Sequence, residues 1–109
     1  MTFLAIDAQK NLYTLQSSQL TFESTLLTSQ NNRYTTEMGY YEAEMTAQDE
    51  DFEIENDSYY QELAAISQYL ETRIDSIDSQ LTALDTVISN YETLVSNNIK
   101  SCSLNLVGG

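Results

Sequence analysis

Apolar side chains recur along the second half of the chain with a period of 3.5 residues. Leu70, Ile74, Ile77, Leu81, Leu84, Ile88, Tyr91 and Val95 are separated alternately by four and three positions; Leu63 lies one heptad before the series and Cys102 one heptad after it. Most of the intervening positions are Ser, Thr, Gln, Asp or Glu. A period of 3.5 marks a helix that winds around a partner, because that spacing keeps one stripe against a neighbour over many turns. Ile66, Val87 and Leu94 widen the stripe on one flank, as expected where more than one neighbour packs. Asp57 or Ser58 can cap the start of this helix, with Gln61 or Glu62 placed to bond back. Lys100 suits the negative end of the helix dipole, and "VGG" at 107–109 opposes continuation. The pattern predicts a helix over 58 to about 103, roughly 65–70 Å long at 1.5 Å per residue, followed by a tail at 104–109.

The first half is helical in period but less regular. Ala5, Ala8, Leu12, Leu15, Phe22 and Leu26 form one stripe, interrupted by Gln19; Tyr34, Met38, Tyr41 and Met45 form a second with 4–3–4 spacing. Between them "TSQNNRY" weakens both pattern and propensity, so the reading places a kink or break near residues 31–32 in a helix over about 4–48. Gly39 is costly in a helix interior and suggests the close approach of a neighbour.

Two helical patterns of similar length joined by a mostly polar stretch of nine residues predict an all-α chain: a long antiparallel helical hairpin or coiled coil, one domain over residues 1–109, that assembles into a bundle or filament. The joint is "DEDFEIEND", residues 49–57, with six carboxylates in nine positions. A calcium-binding EF-hand loop needs Gly at its sixth place and Glu at its twelfth; counted from Asp49 these places hold Ile54 and Tyr60. The run therefore reads as a solvated acidic turn, with Phe52 and Ile54 tucked onto the hairpin end or paired as a short edge strand.

Charge narrows the choice of partners. Four Lys and Arg stand against 17 Asp and Glu, a net charge of −13, of which residues 49–57 contribute −6. Such a field repels nucleic-acid phosphates and anionic lipid headgroups, and leaves the chain itself or a basic protein as the expected partner. No stretch reaches the roughly 18 apolar residues of a membrane span, and the start "MTFLAIDAQK" lacks the basic and apolar regions of a secretory signal peptide. Twelve Ser, twelve Thr, eight Asn and eight Gln give a hydroxyl- and amide-rich surface. That composition fits an extracellular or cell-surface protein exported without a cleaved signal, with a cytoplasmic location as the alternative.

Candidate chemistry is sparse. There is no His and one Cys, which excludes an internal disulfide and a Cys/His zinc site and leaves Cys102 without an imidazole base. Asp75, Asp78 and Asp85 flank the stripe at positions that face solvent on a helix. No cofactor, metal or catalytic residue is expected, and the chain does not read as an enzyme. Size then matters: a lone hairpin has one seam and little interior, so small chains of this kind need staples or partners. Oligomerisation is the available route. The expected interface residues are Leu12, Leu15, Phe22, Leu26, Tyr34, Met38, Tyr41 and Met45 on the first helix, with Leu63 and the 70–95 series on the second. Seven of the eight tyrosines (Tyr34, Tyr40, Tyr41, Tyr59, Tyr60, Tyr69 and Tyr91) add contact surface suited to interfaces; Tyr13 lies off the first stripe.

The Ser/Thr/Gln-rich "LYTLQSSQLTFESTLLTSQ", with Glu23 its one charge, the long C-terminal heptad helix and the apolar end "SLNLVGG" together resemble type III needle and filament subunits and flagellin-like terminal helices. "MGYY" at 38–41, a Gly beside aromatics, resembles the hairpin motif of type VII secretion substrates, though the chain has no Trp and Gly39 lies away from the turn. Both resemblances imply a small helical hairpin exported without a cleaved signal and assembled outside the cell. The expected function is a non-enzymatic, self-assembling structural subunit. The alternative is a cytoplasmic acidic adaptor or secretion chaperone for a basic or helical partner.

Overall fold

The computed structural model describes the backbone of residues 3–108 and the side chains of residues 4–100. Two long helices, α1 (Phe3–Gln48) and α2 (Ser58–Gly108), are joined by the acidic segment, which holds one 3-10 turn (Ile54–Asn56). The described residues contain no strand. The chain is an all-α helical hairpin. It divides into two compact units, one of residues 23–78 and one of residues 1–22 with 79–109.

In the unit of residues 23–78, α2 contributes buried Leu63, Ser67, Leu70 and Ile77, with Ile77 only 1% exposed. Opposite them, α1 presents half-buried Ser24, Leu27, Asn31, Tyr34, Met38, Tyr41 and Met45, spaced alternately by three and four residues. The cross-helix partners fix the direction. Going up α1, Glu23 pairs with Arg73 at 2.7 Å, Asn31 accepts from the Ser67 hydroxyl at 2.6 Å, and Glu37 accepts from the Tyr59 hydroxyl at 3.2 Å. The α2 partners descend as the α1 partners rise, so the helices run antiparallel. The Tyr41 and Tyr59 rings meet edge to face at 4.8 Å between centroids, near the joint.

In the other unit, Ile6 is buried at 4% exposure, and Lys10, Tyr13, Ser17 and Leu20 continue the same spacing in half-buried positions. They share the seam with half-buried Leu81, Leu84, Val87, Ile88, Tyr91 and Val95 of α2. Tyr13 stacks on Tyr91 at 5.7 Å, and Lys10 reaches Glu92 at 3.9 Å.

The joint is held by its own backbone and side chains. The Phe52 and Asp51 N–H groups bond to the Asp49 carbonyl and carboxylate at 3.1 and 3.0 Å, closing a turn. Asp57 caps α2 by accepting from the Tyr60 N–H at 2.9 Å; its own N–H goes to the Ile54 carbonyl at 3.1 Å instead of to the Gln61 side chain, whose amide donates to the Glu55 carbonyl at 2.8 Å. Phe52 and Ile54 are half-buried as a turn, not as an edge strand.

Three expectations need correction. α1 runs unbroken through residues 31–32, because Asn31 lies on the seam and its amide engages Ser67, which offsets its poor propensity. Gly39 has no neighbour within 4 Å of where a Cβ would stand, so no close approach explains it. α2 continues to Gly108; a glycine in the last turn costs only about 1 kcal/mol relative to Ala. Thr14, Thr21, Thr72, Thr86 and Thr93 each donate their hydroxyl to the carbonyl four residues back, at 2.9–3.2 Å, so these hydroxyls find partners within the helix itself.

Candidate functional site

The expected interface residues separate into two groups. Leu63, Leu70 and Ile77 are buried, and Ile74, Leu81, Leu84, Ile88, Tyr91, Val95, Tyr34, Met38, Tyr41 and Met45 are half-buried, all along the hairpin's own seam. Leu12, Leu15, Phe22 and Leu26 face outward, at 61%, 56%, 66% and 49% exposure. The N-terminal stripe of α1 is therefore not its seam.

The residues that do occupy the seam there are Ile6, Tyr13, Leu20 and Leu27, and they continue through Tyr34 to Tyr41 at every seventh position. That single-column repeat is the signal that would have found them. The companion column, Lys10, Ser17, Ser24 and Asn31, is polar. Ser67, buried at 6% exposure, supplies the matching polar position on α2.

The first candidate surface is thus the outer face of α1, which holds Leu4 at 76% exposure together with the outward stripe. The second is the joint. Asp49, Glu50, Asp51, Glu53 and Glu55 are all exposed there, around an open depression lined by Phe52, Glu53, Ile54, Glu55 and Asn56. Among the described residues no three His, Cys, Asp or Glu side chains converge to hold a metal ion. No described helix is long and apolar enough to cross a membrane.

Electrostatics act locally where the joint meets the helices. The Asp57 carboxylate, hydrogen-bonded to the Tyr41 hydroxyl, pushes that phenol above its ordinary value; desolvation and the nearby Asp57, Tyr59 and Glu44 groups add to the shift. Tyr59 is raised too, first by desolvation and then by the neighbouring Glu37. Both phenols stay protonated and can donate. Cys102 lies outside the residues whose side chains are described. No protein-family model, curated protein or solved structure matches the chain.

Proposed function

We propose that this protein is a non-enzymatic, self-assembling structural protein, a secreted or surface filament-type subunit of the small helical-hairpin kind exported without a cleaved signal. One observation carries the reading. Among the described residues the hairpin buries four apolar side chains, Ile6, Leu63, Leu70 and Ile77, while ten large ones stay at least 41% exposed. Full burial of one such side chain contributes about 1.5–3 kcal/mol, so a fold with so few relies on further burial between molecules. Sedimentation equilibrium and light scattering test this across a range of protein concentrations. The expected result is a dimer or larger species at micromolar concentration. A well-folded monomer over the whole range overturns the reading.

The exposed carboxylates of the joint support a second reading, an acidic adaptor or secretion chaperone for a basic partner. Replacing Asp49 and Asp51 by Asn, and Glu50, Glu53 and Glu55 by Gln, separates the two. The structural-subunit reading expects fold and assembly to persist unchanged. If assembly persists but salt-sensitive binding of a basic helical peptide is lost, the adaptor reading takes precedence.

A further inference from the structure

We infer that the outward stripe of α1 within residues 1–22 docks against the same stripe of a second copy of this chain. The inference rests on the self-association proposed above and names its contact face. Leu4, Leu12, Leu15 and Phe22 are 76%, 61%, 56% and 66% exposed, and none of them belongs to the hairpin seam. The spacing identifies the kind of occupant. Positions 5, 8, 12, 15, 19 and 22 alternate by three and four, and a stripe that keeps a 3.5-residue repeat is shaped to receive another helix.

Charge identifies which helix. The chain carries −13, yet residues 11–22 contain no charged side chain. The two charges just before them are engaged: Lys10 pairs with Glu92 at 3.9 Å, and Asp7 accepts from the Asn11 amide at 3.5 Å. Two copies repel wherever their acidic surfaces approach, and least where these uncharged faces meet. A basic partner gains nothing from a face without acids. An anionic membrane repels the chain, and the stripe lacks the flanking Lys and Arg that hold amphipathic helices at lipid surfaces.

Gln19 adds a self-complementary element. It is exposed and occupies a core position of the repeat, where a side-chain amide brings both a donor and an acceptor. A second copy brings the same pair, so the amides can satisfy each other and set the alignment of the two helices.

The test compares wild type with the double variant Leu15→Asp/Phe22→Asp, and with Tyr69→Asp as a control at a 64% exposed site on α2. Far-UV circular dichroism checks folding, and sedimentation equilibrium reads the dissociation constant. The double variant should weaken self-association about thirtyfold or more, the loss that follows from removing a central contact, with helicity retained. Tyr69→Asp should leave the constant unchanged. If the double variant loses helicity, Leu12→Gln/Leu15→Gln carries the same comparison. Undiminished association of the stripe variants overturns the inference and leaves the self-assembly reading standing, whereas a monomeric wild type overturns both. Equal disruption by Tyr69→Asp shows unspecific apolar clustering and also overturns it. So does a monomeric wild type that floats with zwitterionic phosphatidylcholine vesicles when the double variant does not.

Discussion

Ile77→Ala probes the driest position of the seam in the unit of residues 23–78. Ile77 is 1% exposed, and the substitution removes three carbons from that site. At about 0.8 kcal/mol per buried methylene, the transfer term alone is about 2.4 kcal/mol. A residual cavity adds to this, and buried Ile→Ala changes span roughly 2–5 kcal/mol. A two-helix seam is open along both edges and relaxes into part of the gap, so the expected loss is near the lower end, about 2.5–3 kcal/mol. For a chain of this length that lowers the melting temperature by roughly 10 °C. Ile99→Ala is the matched control, because Ile99 is 54% exposed and the change removes the same atoms. Its transfer loss is about half as large, and Ala's better helix propensity recovers some of it, leaving less than about 1 kcal/mol. Thermal melts followed by circular dichroism should be run at several protein concentrations, since coupled assembly makes the midpoint concentration-dependent. Equal shifts for the two variants would refute the assignment of Ile77 to the seam and Ile99 to the surface.

Three further outcomes follow from the packing. A double-mutant cycle on Asn31→Ala and Ser67→Ala should return a coupling of about 1 kcal/mol, because either single change leaves one partner of the 2.6 Å bond unpaired; additive effects would show that the bond does not form. Gly39→Ala should stabilise the protein by about 0.5–1 kcal/mol, since the site is helical and its added methyl meets nothing within 4 Å; a lower melting temperature would reveal a neighbour there. In a spectrophotometric titration Tyr41 and Tyr59 should ionise above the ordinary value of 10.0. A phenol raised in the folded state lends stability that is complete below the unfolded value and is lost as pH rises through the folded one. Asp57→Asn keeps a good helix cap while removing the charge, so it should lower the Tyr41 value toward normal; an unmoved value would discard Asp57 as the main cause.

α2 was legible because its seam is apolar at nearly every position from Leu63 to Val95, with Ser67 the one polar interruption. The boundaries of the joint were legible too, since six acids in nine residues and an Asp placed to cap break the helical pattern plainly. In the N-terminal part of α1 the apolar stripe legible in the sequence is not the hairpin's own seam, for a physical reason. Its seam carries Lys10, Ser17, Ser24 and Asn31 in one column, whereas its solvent face carries Leu12, Leu15, Phe22 and Leu26. Periodicity detects the more apolar face, and here that face points outward. The expected break near residues 31–32 failed similarly: local propensity disfavours helix there, but the Ser67 hydroxyl gives Asn31 a partner that only the folded hairpin provides. The candidate surfaces were legible as residues; their separation into seam and outer face needed α2 in place.

The Asn31–Ser67 bond also bears on how the hairpin finds its alignment during folding. Repeating heptads allow one helix to pair with the other shifted by seven residues, with apolar positions still meeting apolar ones. Such a shift sets Asn31 against Tyr60 or Ile74 and leaves the Ser67 hydroxyl facing a different side chain, so the slipped hairpin loses the bond. The contacts close to the joint also bridge the shortest stretch of chain: Tyr41 meets Tyr59 across 18 residues, whereas Ser67 meets Asn31 across 36 and Arg73 meets Glu23 across 50. Loop-closure entropy rises with that separation, which favours pairing that starts at the joint and zips outward, passing the Glu37–Tyr59 bond and reaching the Asn31–Ser67 pair before the Arg73–Glu23 contact. A hairpin paired out of step lacks this bond and is expected to reopen more readily than one in register. Stopped-flow refolding should accordingly gain a slow phase when Asn31 and Ser67 are both replaced by Leu, and an unchanged single phase would remove the polar pair from that role.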